Sequence, residues 1–207
     1  MKHAVRALLV VSLAASSALT SGCLPLAATG VVVSALALTD RRTVGAQAED
    51  QGIELKASAQ LRDALRYPGG ISVTSYNRRV LLTGQVANAE DKRRAEQLVA
   101  RIDNVRAVHN ELQIAGQPGL TATAADTTTT TAVKLAFAED KEIPAGSIKV
   151  VTESGAVFLM GLVTQNEAQK ASRVASRVRG VQRVVTVFEV ISDAERDRIT
   201  KQAEEKK

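Results

Sequence analysis

The chain has one cysteine, no tryptophan, two tyrosines and three phenylalanines in 207 residues. A single thiol cannot form a disulfide within the chain, so no covalent staple stands in for a hydrophobic core. Only two histidines are present. His3 lies at the extreme amino end and leaves His109 alone downstream, so no Cys/His set exists for zinc. The shortage of aromatics removes the stacking platform that single-stranded nucleic acid needs. The basic excess, 27 against 22 acidic side chains, is mild and does not argue for nucleic acid either. No glycine loop cradles a phosphate: Gly69-Gly70 reads as a turn. Gly84 and Gly161 are single strand glycines whose missing Cβ lets another backbone approach. His109 has no nucleophile or orienting acid in a local pattern around it and reads as a solvated strand residue. Glu90, Asp91 and Glu96 read as ordinary helix-start and helix-surface acids. No catalytic residue, metal ligand or cofactor is assigned; the pattern is that of a binding protein.

What is present begins at the amino end. Lys2, His3 and Arg6 precede a short apolar run, Ala7 to Ala15, broken only by Ser12, and small residues lead to Gly22. Residues 1–22 thus have the build of a secretory signal, with an apolar run too short to span a membrane. The ending Ser21-Gly22-Cys23 resembles the lipobox of bacterial lipoproteins, with Thr20 where that motif usually has leucine. The resemblance implies acylation of Cys23 as the mature amino terminus, and Leu24, rather than aspartate, after it implies the outer membrane. The other reading is a free cysteine that follows a signal peptide, an oddity in an exported chain. Each buried methylene of an acyl chain contributes roughly 0.8 kcal/mol, and stable mooring takes more than one chain. Beyond it, "PLAATGVVVSALAL" (25–38) is too short for a comfortable span and reads as a buried or interfacial segment. "TDRRTVGAQAEDQG" (39–52) then reads as a polar tether or a strap along the folded part.

The main organising feature is an internal repeat. "ISVTSYNRRVLLTGQV" begins at Ile71 and "IKVVTESGAVFLMGLV" at Ile148. The shared offset holds at Val73/Val150, Val80/Val157, Leu82/Leu159, Gly84/Gly161 and Val86/Val163. Each stretch alternates apolar and polar residues around a polar turn, the signature of a half-buried hairpin. One residue drops out downstream, after which "AEQLVARIDNVRAVHNELQI" (95–114) matches "ASRVASRVRGVQRVVTVFEV" (171–190). Ala95, Leu98, Val99 and Ile102 fall on one helical face, as do Ala171, Val174, Ala175 and Val178. An earlier helix is expected in each copy, from Leu55, Ala59, Leu61, Ala64 and Leu65 in the first. In the second, Ala132, Val133, Leu135, Ala136 and Phe137 supply it. Each unit reads helix, strand, strand, helix, strand: an α+β module with two helices covering one face of a three-stranded mixed sheet. Units this small are marginal alone and are expected to pack on each other or on their tethers. Dense threonine in "AGQPGLTATAADTTTTT" (115–131) marks a linker that disfavours helix until Ala132. The tail after Val190 is polar and reads as a frayed or solvated helix.

The strand motif Val80-Leu82-Gly84-Val86, its copy Val157-Leu159-Gly161-Val163 and the helix exit Gly180-Val181-Val184 resemble the BON domain, with Asn104 where that family prefers glycine. The order of lipobox, "TDRRTVGAQAED" and two such modules resembles the dual BON-domain outer-membrane lipoproteins of Gram-negative bacteria. The resemblance implies residues 1–22 as signal, 23–52 as lipidated tether, 53–115 and 127–191 as BON domains around a 116–126 linker, and 192–207 as tail. It also implies a non-catalytic protein moored in the outer membrane through acylated Cys23 and facing the periplasm. Such a protein supports envelope integrity, gathers at the division site and binds anionic phospholipid (phosphatidylglycerol, cardiolipin) through the helical side of its second module.

The residues add a clue of their own. From Ala168 to Arg183 the second module carries Lys170, Arg173, Arg177, Arg179 and Arg183 and no acid. The matching stretch, Asp91 to Ala107, offsets its basic residues with Asp91, Glu96 and Asp103. An exposed cationic stripe meets anionic headgroups with roughly 1 kcal/mol per basic residue. The same charges equally suit a helix that is merely kept soluble. Thr127 to Thr131 stand where relatives carry bulky membrane-dipping residues, so contact is expected to be electrostatic and salt-sensitive. The alternative function is a protein-interaction or chaperone-like module serving an envelope assembly or division factor.

Overall fold

In the computed structural model, residues 40–65, 70–114 and 120–204 are described, all within one compact unit. Cys23, the signal and the 25–38 segment lie outside them.

Thr43 starts the first helix by accepting the Ala46 amide on its hydroxyl at 3.1 Å, so α1 runs Val44–Ala64. The segment expected to be a polar tether is therefore half helix, and only Asp40–Thr43 forms the strap. The buried stripe is Asp50, Ile53, Ala57 and Leu61, continued by Leu65. Leu55 and Ala59 are not on it: Leu55 is 74 % exposed, because two residues from Ile53 is the far side of a helix.

The hairpin follows as the alternation predicts. β1 (Ile71–Tyr76) pairs antiparallel with β2 (Arg79–Val86), with Val73 opposite Leu82. Asn77 and Arg78 form the two-residue turn with φ of 49° and 65°, the left-handed pair that matches strand twist. The second copy repeats it with β5 (Ile148–Glu153), Ser154-Gly155 and β6 (Ala156–Val163). Gly84 and Gly161 fill the role expected of them. A Cβ on Gly84 would lie 1.7 Å from the Gly70 carbonyl oxygen, and one on Gly161 would lie 2.5 Å from that of Ser147.

Helices α2 (Ala89–Ala100) and α4 (Gln165–Ala175) bring the chain back for the third strand. In the second module this is β7 (Arg183–Val190), parallel to β6 along its whole length. In the first module the strand is broken. β3 (Ala107–Asn110) and β4 (Gln113–Ile114) both lie parallel to β2, and Leu112, between them, turns into the core at 1 % exposure.

The threonine run departs from expectation. α3 spans Leu120–Glu139, straight through Thr127–Thr131. The β-branched penalty is met locally: the hydroxyls of Thr128, Thr129 and Thr131 donate to the carbonyls of Ala124, Ala125 and Thr127, one turn back. Thr130 donates to the Thr152 hydroxyl at 2.7 Å. Burial of Thr129, Val133 and Phe137 against β5 then holds the helix, while Leu135 is 59 % exposed. The tail is helix α5 (Asp193–Glu204).

Each module has its own core between helices and sheet. A third core joins them. Tyr76 and Leu81 of the first sheet pack with Ala156, Phe158, Met160, Leu162 and Val187 of the second. Strand β6 is therefore buried on both faces, which is why "AVFLMGLV" is apolar without alternation.

Candidate functional site

The hairpin turns and the strap set the geometry of the joined modules. Asp50, 2 % exposed, accepts from the Ser75 hydroxyl (2.6 Å), the Asn77 and Arg78 amides (2.8 Å each) and Arg42 (2.8 Å). Burial alone would raise its pKa. The bonds from Ser75, the Arg78 amide, Arg42 and the Asn77 amide outweigh burial and hold the carboxyl below its ordinary range. Asp126 of α3 binds the second turn in the same way, accepting from the Ser154 and Gly155 amides at 2.7 and 2.8 Å. Asp50 and Asp126 are one position of the repeat, a match that sequence reading missed because it aligned the first helices by apolar residues alone.

Only the first module adds the strap. The Arg42 guanidinium pairs with Asp40 and Asp50 and lies 3.9 Å from the centroid of the Tyr76 ring. The Tyr76 hydroxyl donates to the Ser147 carbonyl at 3.0 Å. Arg41 reaches the second module, donating to the Leu162 carbonyl at 2.9 Å and to both oxygens of Glu167. Glu167 completes the capping box of α4 with Thr164, and Arg41 helps to hold its pKa low against the effect of burial. Lys149–Glu54 (2.9 Å) and Asn77–Glu189 (2.7 Å) add two more bonds between modules.

The predicted basic residues divide into two sets. Lys170 is held by Glu142 at 2.8 Å and Asp140 at 3.3 Å, and those acids raise its pKa. Arg183 pairs with Glu111 at 3.3 Å and sits over the Phe158 ring, 5.8 Å from its centroid. Arg173, Arg177 and Arg179 are exposed and make no ion pair among the described residues. Arg173 is on α4. Arg177 and Arg179 lie beyond its end, in the turn that reaches β7 through Gly180 at φ 95°. Asn104 takes the corresponding left-handed position in the first module at φ 67°.

Arg173 also stands over a groove between α4 and β7. Two cavities of about 400 and 410 Å³ adjoin there, sharing Ser172 and Arg173. Ala168, Phe188 and Val190 line one; Val181, Val184 and Arg183 line the other.

Among the described residues no cluster of three or more metal-binding side chains exists, and no helix is long and apolar enough to cross a membrane. His109 is half-buried with Nε2 3.3 Å from Arg79. Burial and then Arg79 lower its pKa and favour the neutral ring. Asp91 accepts from the Asn88 side chain at the start of α2, and Glu96 from Asn110. None of these groups faces a partner that would make it a nucleophile or a base.

The described residues thus form two α+β modules joined through their sheets, with a charged outer edge on the second. The BON domain model matches residues 49–116 and 125–192, and the chain belongs to the BON-domain family. It is 37 % identical over 172 residues to the outer membrane lipoprotein DolP of Haemophilus influenzae, covering 82 % of this chain and 89 % of that protein. It is 34 % identical to a 21 kDa hemolysin of Actinobacillus pleuropneumoniae, over 73 % of this chain and 79 % of the relative. The osmotically-inducible protein Y of Escherichia coli is 30 % identical over 68 % of this chain and 72 % of its own length. The chain is thus a tandem-BON homologue of outer-membrane lipoproteins, non-catalytic, and its place is the outer membrane on the periplasmic side.

Proposed function

We propose that this protein is moored through acylated Cys23 and presses the basic edge of its second module against anionic phospholipid, thereby supporting the integrity of the outer membrane, in connection with cell division. The observation that carries the reading is the trio Arg173, Arg177 and Arg179, clustered where α4 passes into β7 and without acidic partners among the described residues. Lys170 and Arg183 flank the trio with their charge already partly answered by Glu142, Asp140 and Glu111. Three free arginines near an anionic surface contribute about 3 kcal/mol, enough for reversible contact once an anchor has raised the local concentration.

Sedimentation with phosphatidylglycerol vesicles tests this, using the chain from position 23 onward with Cys23→Ser. Changing Arg173, Arg177 and Arg179 together to Gln weakens binding about a hundredfold at low ionic strength, by the same per-charge figure. Lys170→Gln and Arg183→Gln each cost much less. A folded triple variant that sediments as well as the parent overturns the assignment. The mooring has a separate test: palmitate labelling of the full chain in cells, lost in Cys23→Ser.

A further inference from the structure

The second sheet ends in an open edge. Strand order is β5-β6-β7, and β7 runs uninterrupted for eight residues with a strand partner on one side only among the described residues. The other described edges lie beside side-chain contacts or are broken. β1 and β5 face the joint between modules, where Lys149 meets Glu54 and Tyr76 meets Ser147, and the β3 edge breaks before β4. An edge strand turns alternate N–H and C=O groups outward, and proteins that must avoid pairing place lysine, proline or a bulge along it. The interior of β7, "VVTVFE", has no lysine, proline or bulge, and its one charged residue, Glu189, is taken up by the Asn77 side chain at 2.7 Å.

Beside this edge lies the groove under α4. On the helix side of β7, Val184 and Phe188 are half-buried, Thr186 is exposed and Val190 is 54 % exposed, so α4 covers the strand only in part. The α4 wall is formed by the small residues Ala168 and Ser172, with Arg173 above them and Arg183 at one end. A helix and a strand edge with a furrow between them can accept one more strand. Main-chain bonds supply affinity, and alternate side chains enter the furrow. The charge around it selects the occupant: Arg173 and Arg183 line the groove, and the exposed Arg177 and Arg179 follow α4 in the turn to β7, so the facing residues of an incoming strand are best acidic.

We infer that the α4–β7 groove is a docking site for an extended segment of a partner protein that alternates β-branched apolar with acidic residues and adds a strand to β7. This goes beyond lipid contact, although Arg173 borders both surfaces. The probe is a fluorescein-labelled peptide of about ten residues alternating valine and glutamate, titrated by anisotropy against the full chain in a non-ionic detergent. Binding is expected in the high-micromolar range. It falls at least tenfold when alternate peptide amides are N-methylated, which removes main-chain donors and leaves every charge, and likewise when lysine replaces glutamate. Hydrogen exchange then slows across 183–190. Ser172→Trp, which fills the furrow without changing charge, abolishes peptide binding and leaves vesicle sedimentation as it was. Equal binding of the N-methylated peptide, binding unchanged by Ser172→Trp, or no binding at millimolar peptide overturns the proposal. So does protection of 183–190 by phosphatidylglycerol vesicles alone, which makes lipid the occupant. A parent chain that binds the peptide but fails to sediment with the vesicles sinks the lipid reading and leaves this one standing.

Discussion

The repeat supplies a controlled experiment on buried charge. Asp50 and Asp126 occupy the same position and each accepts the two amides of its own hairpin turn. Asp50 also holds the Arg42 guanidinium and the Ser75 hydroxyl, at 2 % exposure, whereas Asp126 is half-buried and has neither. Asn keeps the shape of the side chain but removes its charge and turns an –NH₂ toward groups that are all donors. A turn carboxylate that loses its charge-assisted bonds to two amides costs about 1–2 kcal/mol. Leaving Arg42 buried with half its counter-charge adds about 2 kcal/mol more, short of the 3–5 kcal/mol for a wholly broken buried pair because Asp40 remains. Asp50→Asn is therefore expected to cost about 3–4 kcal/mol and Asp126→Asn about 1–2. The difference reads as a separation in melting temperature of several degrees. Acid titration adds a second readout. The folded pKa of Asp50 lies below its unfolded value, so its stabilisation is complete above about pH 4 and is lost as pH falls through the lower, folded pKa. Asp50→Asn should flatten the acid limb of the stability curve. Equal losses in the two variants, or an unchanged acid limb in Asp50→Asn, would refute the argument that the strap arginine makes the first turn the costlier one to break.

Two further substitutions probe the fold. Gly84→Ala meets the Gly70 carbonyl at 1.7 Å in a backbone at φ 104°, whereas Gly161→Ala meets the Ser147 carbonyl at 2.5 Å without that torsional cost. Both are expected to destabilise in urea melts, Gly84→Ala by at least about 3 kcal/mol, which combines overpacking with backbone strain, and Gly161→Ala by less. In α3, Thr131→Ala removes an exposed β-branched residue from a helix interior and is expected to raise stability by a few tenths of a kcal/mol. Destabilisation by Thr131→Ala would mean that its hydroxyl bond to the Thr127 carbonyl contributes more than local helix propensity.

Much of the architecture was legible because the chain states it twice. The offset pairs Val73/Val150 and Leu82/Leu159 lie opposite each other across their hairpins, and Ala95/Ala171 and Val99/Ala175 are the buried stripes of α2 and α4. Misreadings fall where the copies diverge or where tertiary bonds overrule local preference. Threonine at 127–131 argues against helix only while its hydroxyls are free to compete; bonded one turn back, they no longer do so. Leu55 and Ala59 are apolar residues at helical spacing, yet both face solvent. The true stripe includes a buried acid, Asp50, whose place is decided by a turn more than twenty residues further on.

The basic surface was legible as composition and not as availability. Five positive residues with no intervening acid look equivalent along the chain, yet their counter-charges come from other elements. Glu142 and Asp140, between α3 and β5, answer Lys170, and Glu111 of the first module answers Arg183. A charge whose partner lies roughly 3 Å away contributes little net field at a Debye length of about 8 Å. The surface that an anionic bilayer or an acidic strand meets is therefore set by the three arginines at the exit of α4. The bond from Arg183 to Glu111 also ties that edge to the first module. Removing Glu111 should then do two things at once: free Arg183 and sharpen the positive edge, so that Glu111→Gln binds phosphatidylglycerol vesicles somewhat more tightly than the parent. Unchanged or weaker binding in that variant would mean that the pair is too exposed to mask its arginine, and Arg183 would then count with the free three.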